Sequence, residues 1–333
     1  MELILIGTKD AKRTVYFERA ASELNTPFTF VDWDRLEQEL PFFSHGEYVI
    51  KIDPPAYQTC KLSDMQQELD KYQKCLHQLQ STGCAFLNTP ESILTLLNKS
   101  LCKTCLQNAG IPTTQMLAGE FKNTENLISS MYENKVYAVF IKPVFFSGAA
   151  GVVALRIHPR SNKMTAYTSC RLEQGILINT KRLFKLESEQ EIRTLLAALL
   201  SVDVMVERWH PKESFQGKSY DLRVVYQFGH IAFVVARQSS GPVTNLHLNN
   251  QALDVTTLGL TPEKFQEIEG LCMEAVNLFP GLSMAGIDIL IEKNTGRLLI
   301  IEMNGQGDLV YRDIYGENRI YREQIMQLGE NGT

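Results

Sequence analysis

The sequence predicts a mixed α/β (α+β) protein in which a parallel α/β domain comes first and long β-hairpins follow. Strand and helix signals alternate over residues 1–60, which is typical of a small parallel sheet. Residues 137–187 have the pattern of short strands and turns without long helices. Two long apolar hairpins are then predicted at residues 220–237 and 286–304.

The N-terminal region supplies the elements of the parallel sheet. Short apolar runs predict strands at residues 3–6, 28–33 and 48–52, and a helix is predicted between the first two. Apolar residues from Leu62 to Leu79 recur at three–four spacing and predict one long amphipathic helix. Its apolar face either packs in the core or forms the contact of a homodimer.

Helix signals also suggest where the first domain ends. Thr89 and Pro90 predict a helix start, Asn98 a break, and residues 110–112 a stop. We therefore predict an N-terminal α/β domain over residues 1–90, a subdomain with a phosphate loop over 91–200, and a subdomain with a metal and nucleotide site over 201–333. A helix around residues 192–200 and a helical tail complete the expected elements.

Composition narrows the function classes. The 333 residues carry a net charge of −5 and no basic run, which argues against nucleic-acid binding. No apolar stretch has the length of a membrane span, and the N-terminus does not resemble a signal peptide. Seven cysteines without a disulfide framework are in keeping with a reducing cytoplasm. Cys102 and Cys105 form a C-x-x-C pattern without a second zinc pair, so free thiols are the favoured interpretation.

The hairpin at residues 286–304 carries oxygen donors where a core strand would carry none. Asp288 interrupts its first strand, and Glu302 and Asn304 end its second. Side chains alternate along a strand, so Glu302 and Asn304 point the same way, and Asp288 faces them if the hairpin pairs. Three hard oxygen ligands suit Mg²⁺, with Mn²⁺ as an alternative. Without a metal, Asp288 would cap a strand end and the other two would be turn residues.

A lysine followed by a loop of small residues predicts a phosphate site. Lys142 ends an apolar strand, and Ser147, Gly148 and Gly151 lie in the loop after it. Such a loop can aim backbone N–H groups at phosphate oxygens, and the ammonium neutralises charge. A surface hairpin turn is the competing interpretation.

Two further strands bring polar residues to the same region. Glu207, Arg208 and Trp209 end a strand and either line a base pocket or simply terminate it. Asp221 and Arg223 share a strand face, and Arg237 and Asn245 lie on and after the partner strand. Two arginines and an asparagine near a metal–phosphate centre can hold an anionic intermediate. The alternative is cross-strand ion pairing of Asp221 with Arg223 or Arg237.

In this order, the motifs resemble the ATP-grasp superfamily, and specifically its RimK-like branch of carboxylate–amine ligases. The resemblance covers residues 85–310 and implies an ATP-grasp fold with an N-terminal pre-ATP-grasp domain. It implies that ATP phosphates are bound by Lys99, Lys142 and the loop of Ser147, Gly148 and Gly151, and adenine by Glu207, Arg208 and Trp209. Asp221 would reach the ribose or the hinge, Arg223, Arg237 and Asn245 would be catalytic, and Asp288, Glu302 and Asn304 would hold Mg²⁺.

The resemblance implies an enzyme that uses ATP to activate a carboxylate as an acyl phosphate, which an amine then attacks. Its partners would be small-molecule or peptide carboxylates and amines. A small-molecule kinase and a non-catalytic ATP-binding regulatory protein remain alternatives. Three segments depart from related ligases: Phe146 and Ala149 in the loop, residues 305–308 after the hairpin, and residues 248–250. All three border the acceptor side more than the metal, so the substrate class stays open.

Overall fold

A parallel sheet of four short strands occupies the N-terminal part of the computed structural model, which describes residues 2–43, 47–56 and 59–330. Its strands are β1 (Glu2–Gly7), β2 (Thr29–Asp32), β3 (Tyr48–Ile52) and β4 (Ala85–Phe86), in the order β2-β1-β3-β4. The intervening helices are α1 (Lys12–Glu23), α2 (Leu36–Phe43) and α3 (Leu62–Gln80). The parallel sheet predicted from the alternating pattern is confirmed.

A five-stranded antiparallel sheet forms the middle of the chain. The helices before it are α4 (Pro90–Leu97), α5 (Lys99–Asn108) and α6 (Thr124–Glu133). Its strands are β5 (Ala138–Pro143), β6 (Val153–Ile157), β7 (Met164–Glu173), β8 (Ile176–Leu186) and β9 (Val204–Arg208), in the order β8-β7-β6-β5-β9, and α7 (Glu189–Leu199) precedes β9 in sequence. The strand β9 pairs within this sheet, whereas the predicted boundary at residue 200 assigns it to the next subdomain; the three domain ranges remain predictions.

A six-stranded antiparallel sheet carries the two predicted hairpins. Its strands are β10 (Ser214–Phe215), β11 (Lys218–Gln227), β12 (His230–Ser239), β13 (Gln251–Asp254), β14 (Met284–Ile291) and β15 (Leu298–Asn304). The order is β13-β12-β11-β14-β15, with β10 paired to β11. Three helices accompany it, α8 (Pro262–Asn277), α9 (Tyr311–Ile314) and α10 (Arg319–Glu330). Because β11 pairs with both β12 and β14, the two hairpins lie side by side in one sheet.

The apolar stripe of α3 packs inside the protein. Its six apolar residues, from Leu62 to Leu79, are at most 4% exposed and join one core with the five-stranded sheet. A second core lies between β11, β14, β15 and α8, and a third joins the N-terminal sheet to α10. The stripe is therefore a core face, and the interpretation of it as a homodimer contact is wrong.

The C-x-x-C pair lies on α5. Cys102 is buried, which raises the pKa of its thiol to about 12, and Cys105 is half-buried. Within the described residues, no three His, Cys, Asp or Glu side chains are grouped to bind a metal, and both thiols are free. Over the same part of the chain, no helix combines the length and apolarity needed to cross a membrane.

Candidate active site

A cavity of about 100 Å³ lies between the five-stranded and six-stranded sheets. Its lining includes six cationic and four acidic side chains, namely Lys99, Lys142, Arg208, Lys212, Arg223, Arg237, Glu207, Asp221, Asp288 and Glu302. The excess of positive charge suits an anion such as a nucleotide phosphate. All predicted site residues line this cavity except Ser147, Gly151 and Trp209.

The hairpin β14–β15 brings the predicted metal ligands together. Asp288 is the direct cross-strand partner of Glu302, and Asn304 is opposite Gly286. A register shift follows Asp288, so Ile289 pairs with Ile300 and the strand bulges just before Glu302. The predicted pairing of this hairpin is confirmed, and the two carboxylates face each other at one end of the cavity.

The surroundings of Asp288 fit a divalent cation. Its carboxylate lies 3.0 Å from the Nε atom of Arg223 and 2.9 Å from the Nη2 atom of Arg237. The contact with Arg223 is to the Oδ1 atom, an ion pair whose geometry is not that of a hydrogen bond, so this buried oxygen keeps acceptor capacity. Carboxylate and amide oxygens are the ligands that Mg²⁺ prefers, and Asp288, Glu302 and Asn304 supply them. The three residues are therefore a chemically suitable donor set.

The segment after Asn304 is locked against the N-terminal sheet. The backbone N–H of Gln306 donates to the Oδ1 atom of Asn304 at 2.8 Å. The side chain of Gln306 is buried, donates to the carbonyl of Ile52 at 2.8 Å and accepts from the hydroxyl of Tyr72 at 2.9 Å. The departure from related ligases at residues 305–308 thus has a structural reason: the segment ties the β14–β15 hairpin to β3 and α3.

Only glycine fits at position 307 of this segment. A Cβ atom on Gly307 would lie 2.5 Å from the Cα atom of Gly286, so the two backbones cross at a distance that no side chain allows. Asp308 then enters the N-terminal domain, where it pairs with Arg13 and lies 3.0 Å from the Nζ atom of Lys51. Burial alone would raise the pKa of Asp308, but Lys51 and Arg13 outweigh it and lower the pKa to about 2.

We expect Gln306→Ala to lower the free energy of unfolding by about 1–3 kcal/mol, because two buried hydrogen bonds disappear. Mn²⁺ binding should also weaken, since the backbone that holds the Asn304 amide is no longer anchored. Urea denaturation and a Mn²⁺ titration in the presence of ATP measure the two effects. The exposed Gln67→Ala on α3 is the matched control, and equal behaviour of both variants would contradict the anchoring role.

Glu207 is the centre of a buried ion cluster. Its carboxylate binds both Lys103 and Lys142, and its Oε2 atom accepts from the hydroxyl of Thr114 at 2.7 Å. Burial alone would raise the pKa of Glu207, but the two ammonium groups lower it to about 2. Burial disfavours the charge on Lys142 as well, yet Glu207 and Glu302 outweigh this and raise the pKa of Lys142. Lys142, the predicted phosphate ligand, is therefore held charged at the cavity wall.

Lys99 connects the small-residue loop to the β14–β15 hairpin. Its ammonium donates to the carbonyl of Phe146 and lies 4.0 Å from the Oε1 atom of Glu302. Burial lowers the pKa of Lys99, and the charge of Glu302 only partly offsets this. A phosphate beside Lys99 would supply the negative charge that this buried ammonium lacks.

The loop between β5 and β6, the predicted phosphate loop, turns through two left-handed residues. Gly148 and Ala149 are consecutive and both left-handed, with φ of 67° and 65°. The hydroxyl of Ser169 donates to the carbonyl of Ala149 at 2.6 Å, and Phe146 is buried in the core. The two residues that depart from related loops therefore hold this loop against the fold, Phe146 through its buried side chain and Ala149 through its carbonyl.

Both carboxylate oxygens of Asp221 already accept hydrogen bonds from other side chains of the protein. Its Oδ1 atom accepts from Arg237 at 2.8 Å, and its Oδ2 atom accepts from Lys212 at 2.8 Å and from the hydroxyl of Thr244. Burial would raise the pKa of Asp221, but Arg237 and Lys212 lower it well below its usual range. The geometry favours the alternative interpretation, a cross-strand pair with Arg237, over a ribose contact. Arg223 pairs with Asp288 instead.

The predicted hinge residues divide between two surfaces. Glu207 and Arg208 line the cavity, whereas Trp209 lines a neighbouring groove. The N–H of Arg208 donates to the carbonyl of Gln115 at 2.8 Å, and that of Trp209 to Ala138 at 2.9 Å. These two N–H groups are already used within the fold. Asn245 lines the cavity while its side chain accepts from the N–H of His247 at 2.9 Å.

Sequence reasoning missed two lysines and two threonines that complete the ion clusters. Lys103 and Thr114 bind Glu207, and Lys212 and Thr244 bind Asp221. The spacing of four between Lys99 and Lys103 was a usable signal, because it places both on one face of α5. Lys212 and Thr244 lie in connecting segments and gave no signal of their own.

Curated relatives with local similarity are D-alanine–D-alanine ligases. One, from Chlorobium phaeovibrioides, is 33% identical over 101 residues, covering 29% of this chain and 27% of the ligase. Another, from Pelodictyon phaeoclathratiforme, is 24% identical over 228 residues, covering 67% of this chain and 54% of the ligase. The chain thus spans about half or less of the length of these relatives. No protein-family model matches it.

Solved structures match the chain over nearly its whole length. The macrocyclase MdnC, bound with the precursor peptide MdnA from Microcystis aeruginosa, has a TM-score of 0.61 and 14% identity, with 97% of this chain and 99% of MdnC covered. The ATP-grasp ligase PsnB, complexed with a precursor variant, Mg and ADP, has a TM-score of 0.58 and 14% identity, with coverage of 99% and 98%. The architecture is therefore the ATP-grasp fold, as predicted. The relatives also support the ATP-grasp superfamily, while the RimK-like branch stays a prediction.

Proposed function

We propose that the chain is an ATP- and Mg²⁺-dependent ligase that activates a carboxylate as an acyl phosphate and joins it to an amine. One observation carries this proposal. Asp288 and Glu302 face each other at the end of a cavity whose walls hold Lys99 and Lys142. Oxygen donors for a cation beside ammonium groups for phosphates are what phosphoryl transfer requires.

The residues divide by the group they would hold. Asp288, Glu302 and Asn304 would bind Mg²⁺, which neutralises charge that develops on the transferred phosphoryl group. Phosphate oxygens would be bound by Lys99, Lys142 and the N–H groups of the loop at Ser147, Gly148 and Gly151. The base would lie toward Glu207, Arg208 and Trp209. Lys212 and Asp221 would support this wall rather than touch the nucleotide.

The reaction would proceed in two displacements. An oxygen of the substrate carboxylate attacks the γ-phosphorus of ATP, the bond to the β–γ bridging oxygen breaks, and ADP leaves. The nitrogen of an amine then attacks the acyl carbon, the C–O bond to phosphate breaks, and inorganic phosphate and an amide are released with loss of one proton. Both steps depend on positioning and on stabilisation of negative charge.

Arg223 and Arg237 would supply that stabilisation. Both lie on neighbouring strands of the six-stranded sheet, and both contact Asp288. Burial and the positive charge of Arg237 disfavour the charge on Arg223, and Asp288 offsets this only in part, so the pKa of Arg223 is lowered. An acyl phosphate beside these guanidinium groups would be bound by charge-assisted hydrogen bonds. Asn245 would add a neutral polar group at the same wall.

The substrates would be peptides or small molecules that carry a carboxylate and an amine. The solved structures of MdnC and PsnB contain precursor peptides, which supports a peptide as one of the two. Amino acids and other small metabolites are the remaining candidate classes.

Trapping with hydroxylamine tests the proposal directly. Purified protein, Mg²⁺ and ATP are incubated with a panel of amino acids and short peptides, and hydroxamate and phosphate are measured. A hydroxamate from a defined carboxylate, absent with Glu302→Gln, is the expected result. A phosphorylated product that hydroxylamine does not intercept would favour a kinase. ATP binding without turnover on the whole panel would favour a regulatory protein and reject the ligase.

A further inference from the structure

A second depression, which we call the basic groove, lies at one end of the five-stranded sheet. Its volume is about 540 Å³. The residues that define it are Lys135, Tyr137, Arg156, His158, Lys163, Glu187, Arg208 and Trp209. They come from the start of β5, the end of β6, the turn into β7, the residue after β8 and the end of β9. Of this set, only Arg208 and Trp209 have a predicted role at the nucleotide, and Trp209 lies outside the cavity of the candidate active site.

The basic groove has an excess of positive charge, with four cations against one carboxylate. Four cations line it, and among the described residues no carboxylate lies within ion-pair distance of Lys135, Arg156, Lys163 or Arg208. Its one acid, Glu187, is bound by Lys185 at 2.8 Å outside the groove. The whole chain has a net charge of −5, so the charge of this cluster is opposite in sign to that of the protein as a whole. Such a local field attracts an anionic partner.

Two of the groups are held in place before any partner arrives. The guanidinium of Arg156 lies over the ring of Trp209, 4.6 Å from the centroid, and Trp209 packs against Phe140 and Tyr167. A planar guanidinium fixed on an aromatic ring can still offer its edge to a carboxylate in a bidentate contact. The Nδ1 atom of His158 accepts from the N–H groups of Arg160 and Ser161, which in the neutral ring leaves the proton on Nε2 as a donor.

The same arrangement distinguishes between polyanions. Single-stranded nucleic acid is usually bound by stacking bases on free aromatic faces. Here Arg156 covers one face of Trp209, and Phe140 and Tyr167 pack against the ring, so Trp209 does not offer a free face for stacking. A long polyanion would also be repelled by the net negative charge of the chain. Short carboxylate side chains satisfy the guanidinium and ammonium groups without needing a stacking surface.

We propose that the basic groove is a docking site for an acidic peptide segment rich in glutamate or aspartate. The segment binds by carboxylate contacts with Arg156 and Arg208 and by the charges of Lys135 and Lys163. Arg208 also lines the nucleotide cavity, so the docked segment lies next to the candidate active site but outside it. The inference concerns binding alone and holds whether or not the chain turns over ATP.

Fluorescence anisotropy of a labelled, capped hexaglutamate peptide tests this inference. Wild type should bind it at least about tenfold more tightly than a labelled Gly-Ser peptide, and Lys135→Glu/Lys163→Glu should weaken binding by about tenfold or more, since each exposed pair contributes up to about 1 kcal/mol. The control Lys9→Glu/Lys71→Glu changes the net charge equally at exposed positions elsewhere and should have less than about a twofold effect.

Three results would overturn the docking site. Equal weakening by the test and control variants would show only a general charge effect. Absence of preference for hexaglutamate over the Gly-Ser peptide would remove the basis of the proposal. Tighter binding of a labelled single-stranded RNA of the same charge would assign the groove to nucleic acid. Circular dichroism of both double variants confirms that the comparison is made between folded proteins.

Discussion

Glu302→Gln is expected to lower ATP-dependent hydroxamate formation on the order of 1,000-fold, a loss of about 4 kcal/mol of transition-state stabilisation. The substitution keeps the shape of the side chain but removes one of the two facing carboxylates, those of Asp288 and Glu302, on the β14–β15 hairpin. The remaining donors, Asp288 and Asn304, provide one negative charge instead of two. Affinity for Mn²⁺ in the presence of ATP should fall about 10–100-fold or more.

Two measurements separate this effect from misfolding. Mn²⁺ binding is followed by the electron paramagnetic resonance signal of the free ion, and stability by urea denaturation. The control, Glu274→Gln, removes an exposed carboxylate from α8 and should leave both values unchanged. Wild-type metal affinity and turnover in Glu302→Gln would contradict the assignment of this hairpin as the metal site.

The hairpin was predictable because its signals are local. Two apolar runs around a short turn fix the pairing, and period-two alternation then places Glu302 and Asn304 on one face. The position of Asp288 relative to Glu302 follows once the register of the two strands is known, and in the structure the two residues are opposite each other. The bulge before Glu302 was not predictable, since period-two alternation gives no signal for an extra residue; Ile301, which the register shift leaves without a cross-strand partner on β14, lines the cavity.

Contacts between distant elements were predicted less well. The ion cluster of Glu207 requires α5 to pack against β9, and the cluster of Asp221 requires two connecting segments to converge on β11. Nothing in the residue spacing shows which strands become neighbours. The basic groove has the same origin, because its cations come from separate strands that the sheet order β7-β6-β5-β9 brings together. Local patterns predict elements and strand-end donors, whereas charge compensation depends on the tertiary fold.

The apolar stripe of α3 illustrates an ambiguity that periodicity cannot resolve. The same three–four spacing is required for a core face and for a dimer contact. Only the burial of all six residues against the five-stranded sheet decides for the core. Similarly, Gln306 and Asp308 looked like a departure in a loop, and their burial against the N-terminal sheet could not be read from their polar character.

Glu207→Gln should lower the free energy of unfolding by about 3–5 kcal/mol at neutral pH, because it leaves the buried ammonium groups of Lys103 and Lys142 without their counter-charge. The exposed pair of Glu120 and Lys122 provides the matched control, and Glu120→Gln should change stability by less than about 1 kcal/mol. The double variant Lys103→Met/Glu207→Gln should recover part of the loss, since it removes one of the two uncompensated charges. Denaturant midpoints at constant m-value measure all three.

The pH dependence of the free energy of unfolding, compared between wild type and Glu207→Gln, tests whether the charge of Glu207 causes the stability difference. The pKa of Glu207 falls from an ordinary value of 4.5 in the unfolded chain to about 2 in the folded protein. A depressed carboxylate pKa contributes stability that is complete above the unfolded value and disappears as the pH falls toward the folded value. The stability difference between wild type and Glu207→Gln should therefore be constant near neutral pH and shrink between pH 4.5 and about 2. A difference that stays unchanged across this range would mean that shape, and not charge, holds the cluster together, and the cavity wall behind Lys142 would then have to be explained by packing alone.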